Sequence, residues 1–258
     1  MSKLFSLDGR VALITGGSRG IGRMIAEGFL RQGAKVYLSA RKADACDATA
    51  AELSAIGPCF SLPADVSTQA GIAALVAAYA DREPRLDILV NNAGAAWGAP
   101  FDEFPEKGWD KVVDLNLKAP FFLTQALHAQ LKAGAAFHGG SQPAKVINIA
   151  SIDGQTVNPQ ETYSYAASKA GLIHLTKRMA LRLVEDNIVV NALCPGAFAS
   201  DMNRAARDEA EAVAARIPAR RIGVDDDMAG AAIYLASRAG DYVVGTTLTV
   251  DGGVNLVR

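Results

Sequence analysis

Short apolar runs alternate with longer stretches of helical spacing from one end of the chain to the other. The runs Val11–Thr15, Lys35–Ala40, Cys59–Pro63, Leu86–Val90, Lys145–Ala150, Ile188–Ala192 and Thr246–Val250 are mostly continuous in apolar residues rather than alternating. That is the pattern of parallel strands covered on both faces. Helical stretches fill 20–32, 43–56, 68–81, 103–131, 163–185, 201–216 and 225–238. Seven such alternations predict a doubly wound parallel α/β sheet, and right-handed crossovers leave few topologies for it. Two segments stand apart. Residues 132–144 read as a long exposed helix-to-strand loop. The Ala-rich stretch 196–222, with Arg204, Arg207, Arg216, Arg220 and Arg221, reads either as a helical flap or as a basic, solvated outer face.

Composition narrows the classes without changing this picture. Half of the 258 residues are hydrophobic and 21% are charged, which excludes disorder as the default. A net charge of −1 with no clustered basic stretch argues against nucleic acid as a partner. The three cysteines, Cys46, Cys59 and Cys194, are an odd number, widely spaced, without a CxxC pair or a nearby His pair. They fit a reducing compartment and predict neither a disulfide framework nor a metal site. No signal peptide is visible, and the longest apolar run, Ala70 to Ala80, has eleven residues where a membrane span needs about 20. A cytoplasmic protein of one domain, spanning 1–258, is expected.

The first strand runs into Thr15-Gly16-Gly17-Ser18-Arg19-Gly20-Ile21-Gly22 and then an amphipathic helix. Small residues at this turn let backbone approach a pyrophosphate, and the helix N-terminus supplies free N–H groups and positive potential. A glycine cluster alone marks any tight turn; its place between the first strand and first helix makes a dinucleotide the better reading. At the end of the second strand an NAD site wants an acid for the ribose 2′-hydroxyl, and here stands Arg41. Arg41 and Arg19 can fork onto a 2′-phosphate, so NADP(H) is expected over NAD(H). Asp65-Val66, at the end of the third strand, offers a carboxylate to an adenine amino group, although Asp before a helix is also a common cap. Asn91-Asn92-Ala93-Gly94 ends the fourth strand with small residues suited to a ligand lying across the strand ends, although Asn and Gly are ordinary loop residues too.

Tyr165 and Lys169 lie at i and i+4, hence on one helix face. A free tyrosine, with a pKa of about 10, is a poor acid–base at neutral pH; a neighbouring cation is expected to lower it and make the hydroxyl usable. Tyr163 is the rival, but its i+4 neighbour is Ala167. Ser151, fourteen residues before Tyr165, could polarise a carbonyl oxygen and is not in a GxSxG elbow. His128, His138 and His174 are not placed as bases, and hydrolase chemistry is poorly supported. Asn116, taken alone, reads as a buried polar residue of a helix.

The set TGGSRGIG, NNAG, Ser151, YAASK and Pro195-Gly196, in this order, resembles the short-chain dehydrogenase/reductase family from Leu7 to Gly253. The resemblance implies a Rossmann-type seven-stranded sheet in the order 3-2-1-4-5-6-7. It implies that Tyr165 is the acid/base and that Lys169 lowers its pKa and holds the nicotinamide ribose. By the same match Ser151 orients the substrate carbonyl, and Asn116 completes the tetrad by holding a relay water near Lys169. Pro195-Gly196 matches the turn beside the nicotinamide, and Ser200-Asp201-Met202 stands where the family often has Thr-x-Met. Within the family the chain resembles the 3-oxoacyl reductases associated with rhamnolipid synthesis. Carrier-protein-dependent reductases of this kind carry an arginine seventeen residues past the motif lysine, where this chain has Asp186. Ketone reduction is implied; recognition of an acidic carrier is not.

The expected partner is therefore a small carbonyl or alcohol substrate, with Trp97, Phe101 and Phe198 read either as pocket wall or as core. A sugar, polyol or other secondary-alcohol dehydrogenase is the rival within enzymology, and an idle dinucleotide-binding regulator the rival outside it. Leu172, Leu175, Met179 and Leu183 on the 163–185 helix, and Val112, Leu115, Phe122 and Leu127 on the 103–131 helix, are first of all core. They also suit a two-fold four-helix interface. The family resemblance adds a second interface around 225–238 and Thr246–Val250, so a homotetramer is expected, with a dimer as the smaller alternative.

Overall fold

A computed structural model describes residues 3–137 and 139–257; His138, considered above as a base, lies outside the described residues. Its strands are Val11–Thr15 (β1), Lys35–Ser39 (β2), Cys59–Ser61 (β3), Ile88–Asn91 (β4), Ala144–Ile149 (β5), Ile188–Pro195 (β6) and Thr247–Val250 (β7). They form one parallel sheet in the order β3-β2-β1-β4-β5-β6-β7, as expected. Alternate residues of one strand serve opposite cores. Ala12 and Ile14 face a cluster with Phe29, Leu53, Met228 and Leu235, while Val11 and Leu13 face one with Leu75, Tyr79, Leu131 and Met179. Every position of β1 is thus buried, which is why its sequence shows no alternation.

The first core is covered by helices Gly20–Arg31 (α1), Ala43–Leu53 (α2) and, from the far end of the chain, Asp225–Ala236 (α10). The second is covered by Gln69–Ala80 (α3), Ala119–Ala126 (α5), His128–Phe137 (α6) and Tyr163–Leu183 (α7). Because β1 pairs with β2 on one side and β4 on the other, the crossovers reverse direction between β1 and β4. A crevice at the carboxyl ends of those strands is where such sheets bind ligands.

Two expectations fail. The single helix 103–131 is several pieces: Glu106–Val113 (α4), a π-helical turn Asp114–Lys118, then α5 and α6. The π turn carries Asn116 inward, and a widened turn of this kind is common at functional sites. The long loop 132–144 is shorter than expected, since α6 continues to Phe137. Its Gly134 reads as a breaker in sequence but serves packing, because a Cβ there would meet the Leu86 carbonyl oxygen at 2.1 Å. The 196–222 stretch folds into two short helices, Arg204–Asp208 (α8) and Ala210–Ala214 (α9). Of the apolar stripe, Leu172, Met179, Val112 and Leu127 are core, and Leu175, Leu183, Leu115 and Phe122 pack half-buried against the sheet layer.

Among the described residues no helix is long and apolar enough to cross a membrane, and no three His, Cys, Asp or Glu side chains gather as a metal site. All three cysteines are free and buried.

Candidate active site

The turn between β1 and α1 is held from beneath. Thr15 Oγ1 accepts the backbone N–H groups of Asn92 and Ala93, each at 3.0 Å, and donates to the Val90 carbonyl. The Asn92 amide donates to the carbonyls of Thr15 (2.9 Å) and Gly16 (3.1 Å), so the end of β4 supports the turn. Gly22 is what permits it: a Cβ there would stand 2.4 Å from the Gly16 oxygen and 2.5 Å from the Asn92 amide nitrogen. Asn92 is therefore a buttress whose amide is already engaged. Ser18 is fixed by its carbonyl, which accepts from Thr49, and Ile21 packs half-buried on the core. The bare turn, opening directly into the first turn of α1, fits a diphosphate held by backbone N–H groups.

Arg19 and Arg41 both extend from this end of the sheet with their guanidinium groups largely exposed. Arg41 stands 4.0 Å from Asp65, and Arg19 is ion-paired with Asp201. Asp65 lies beyond the end of β3 rather than on it, because the strand stops at Ser61. Its Oδ1 accepts from the Ser67 N–H and hydroxyl in a turn, the cap of α3 being Thr68 rather than Asp65, while Val66 is core. Pro195 ends β6, and the Gly196 N–H donates to the Val250 carbonyl. Ser200 is half-buried and Met202 exposed.

The four candidate catalytic residues converge at the ends of β4 and β5. Lys169, buried on α7, donates to the Ile149 carbonyl at 2.7 Å, and its Nζ lies 5.7 Å from the Tyr165 ring centre. Asn116 lies opposite. Its Oδ1 accepts from the Ala95 N–H (2.8 Å), and its amide donates to the Ala95 carbonyl (2.9 Å) and to Ser168 Oγ (3.1 Å). Gly94 sits between the two, since a Cβ there would be 3.3 Å from Asn116 Oδ1 and 3.8 Å from Lys169 Nζ. Ser151, buried at the end of β5, accepts from the Asp153 N–H and lies close enough to the Tyr165 phenol to act on it.

Electrostatics corrects one expectation. Burial pushes the Tyr165 phenol up to about 12, the neighbouring Ser151 hydroxyl only partly opposing it. The same burial draws Lys169 down to about 8. The phenol is thus a protonated acid at neutral pH, not a group already lowered by its cationic neighbour. Tyr163 is excluded from the centre by its own contacts: its hydroxyl donates to Glu161 at 3.0 Å, and its ring meets Phe101 and Phe104 edge-on. Of the aromatic candidates, Phe101 is exposed, Trp97 lies half-buried against Gly108, and Phe198 is core.

Sequence reasoning missed what holds this arrangement from below. Asn91 Nδ2 donates to Asn148 Oδ1 (2.8 Å) and Thr124 Oγ1 (3.2 Å), and Asn148 Nδ2 to Thr176 Oγ1 (2.9 Å). This buried chain ties β4, β5, α5 and α7 together, and each residue taken singly looks like an ordinary polar interruption. Asp186 is also more than a reversed charge: its largely buried carboxylate is held by His128 (3.1 Å), Lys132 (3.3 Å) and Arg182 (2.9 Å).

A family model described as enoyl-(acyl carrier protein) reductase matches residues 16–255. A rhamnolipids biosynthesis 3-oxoacyl-[acyl-carrier-protein] reductase of Pseudomonas aeruginosa is 45% identical over 259 residues, covering 99% of this chain and 100% of that protein. A gluconate 5-dehydrogenase of Gluconobacter oxydans is 37% identical, covering 98% and 97%. The solved structure of a Pseudomonas aeruginosa RhlG/NADP active-site complex superposes with a TM-score of 0.94 at 46% identity, covering 99% of this chain and 100% of that one. These matches run through the glycine turn, the Ser151–Tyr165–Lys169 centre and the sheet that carries them, and the chain belongs to the short-chain dehydrogenase/reductase family.

Proposed function

We propose that the chain is an NADP(H)-dependent oxidoreductase that reduces an uncharged ketone of the 3-oxoacyl type to a secondary alcohol. The observation that carries this is the convergence of Tyr165, Lys169 and Asn116 at the strand ends, with Lys169 Nζ 5.7 Å from the Tyr165 ring centre and Gly94 between Lys169 and Asn116. NADP(H), when bound, supplies the hydride. The glycine turn with the N-terminus of α1 would hold its diphosphate, and Arg19 and Arg41 its 2′-phosphate. Asp65, Val66, Asn92, Ala93, Gly94, Pro195, Gly196, Ser200 and Met202 border the rest of its path. The similarity to the RhlG/NADP complex supports the same choice.

Tyr165 gives its proton to the carbonyl oxygen as charge develops there, and Ser151 donates a second hydrogen bond to that oxygen. Lys169 stabilises the phenolate left behind and binds the nicotinamide ribose. Asn116 fixes the Ala95 backbone and, through the region around Gly94, the approach of a relay water to Lys169. One carboxylate, Asp153, acts on this acid. A sugar-acid carboxylate would meet like charge there, which favours a neutral ketone. The gluconate dehydrogenase resemblance makes keto-sugars the second reading. Steady-state oxidation of NADPH against 3-oxoacyl-CoA esters, cyclic ketones and keto-gluconates decides: a higher kcat/KM for the keto-gluconates would reverse the choice, and no turnover with any would return the idle regulator.

We place this activity in one domain of the cytoplasm, a compartment that suits three unpaired cysteines, and in a homotetramer. A groove of about 350 Å³ between α5 and α7, lined by Phe121, Leu175, Met179 and Leu183, supports one two-fold contact. The half-exposed edge strand β7 and exposed Tyr242 and Val244 support a second.

A further inference from the structure

The segment after β6 is anchored at both ends of a short span. Phe198 is buried against Gly223, with which it forms a β-bridge, and the Gly223 N–H donates to the Ala197 carbonyl. Beyond it the chain crosses the front of the glycine turn. Ser200 lies over Gly20, where a Cβ would stand 3.4 Å from the serine Cβ, and Ser200 Oγ accepts from the Asn203 N–H. Asn203 then caps α8 by accepting from the Ala206 N–H. At the middle of this strap Asp201 reaches both ways: Oδ2 accepts from Arg19 of the glycine turn, and Oδ1 accepts from Arg207 of α8 at 2.8 Å.

This arrangement rests a carboxylate on one of the arginines assigned to the 2′-phosphate. Only one terminal nitrogen of Arg19 is in the bond to Asp201, so its remaining donors stay available to a phosphate. The strap crosses Gly20, the first residue of the helix whose N-terminus would hold the diphosphate. We propose, on the reading that this turn binds NADP(H), that Asp201 is a positioning residue whose pairing with Arg19 and Arg207 pins the 197–208 strap over the cofactor phosphates and gates cofactor exchange. Opening the Asp201–Arg19 pair lifts the strap and releases the nucleotide.

The test compares wild type with Asp201→Asn and Asp201→Glu. The rate of NADPH release is read by stopped-flow fluorescence, and tryptic cleavage at Arg204 and Arg207 is read on the protein without cofactor. Exposed ion pairs each shift an equilibrium by up to about fivefold, so losing two should speed release about three- to tenfold in Asp201→Asn. Cleavage should accelerate by a similar factor, and Asp201→Glu should restore both. Added salt should speed wild-type release and change Asp201→Asn less, because screening acts on the pair itself. Release and cleavage within twofold of wild type would overturn the gate, as would faster cleavage with unchanged release. A wild-type protein that binds no NADPH would overturn the cofactor reading and the gate with it, an outcome distinguishable from normal binding with unaltered release.

Discussion

Replacing Asn116 by alanine removes the clamp between the π-helical turn and the strand end that carries Gly94. The side chain is buried and makes three hydrogen bonds of 2.8, 2.9 and 3.1 Å. The Ala95 N–H and carbonyl both lose their side-chain partner, whereas Ser168 Oγ keeps its own donation to the Tyr165 carbonyl at 2.8 Å. One orphaned buried donor costs about 1–3 kcal/mol, and half-buried Ala95 recovers part of it from water. With the small cavity added, the loss should come to about 2–4 kcal/mol. For a chain of this size that is a fall in Tm of roughly 5–15 °C, read by calorimetry at fixed protein concentration. Turnover should fall as well, because Gly94 separates Asn116 from Lys169. An Asn116→Ala variant that melts within about 1 °C of wild type would refute the clamp, and with it the reason for the π turn.

Three further outcomes follow from the same geometry. Arg41→Asp should reverse the cofactor preference from NADP(H) to NAD(H), read as the ratio of Kd values by fluorescence titration; unchanged preference would place the 2′-phosphate elsewhere. Ketone reduction needs a protonated Tyr165 and a charged Lys169, so with these at about 12 and about 8 its kcat should stay level below about pH 8 and fall above it. Alcohol oxidation, which needs a Tyr165 phenolate beside a charged Lys169, should rise up to about pH 8 and then level off, and a reduction rate that climbs above about pH 8 would contradict the proton assignment. Light scattering of the purified protein should give the mass of four chains, Leu181→Lys on the exposed face of α7 should lower it, and a wild-type mass of one chain would rule out the assembly.

The sheet was legible because burial on both faces writes a continuous apolar run, and the glycine turn because it stands directly between the first strand and the first helix. The Tyr165–Lys169 pair was legible from helix spacing alone, which also set Tyr163 aside. What escaped was long-range. The π turn at Asn116 leaves no local trace beyond one polar residue, and Gly134 reads as a stop where its reason is the Leu86 backbone across a contact. The direction of the Tyr165 shift depends on how much protein surrounds the phenol, which spacing does not report. Asp201 looked like the variable centre of a three-residue match, yet it joins Arg19 to Arg207 across nearly the whole chain.

The central claim is that the Tyr165 hydroxyl gives the proton to the ketone oxygen. Single-turnover mixing of NADPH-loaded Tyr165→Phe protein with a 3-oxoacyl-CoA ester tests it most directly, with NADPH affinity measured on the same sample. The account predicts an NADPH Kd within about threefold of wild type and a hydride-transfer rate lower by at least about 10²-fold, since a positioned general acid contributes typically 10²–10⁴. Normal cofactor binding with hydride transfer near the wild-type rate would contradict it.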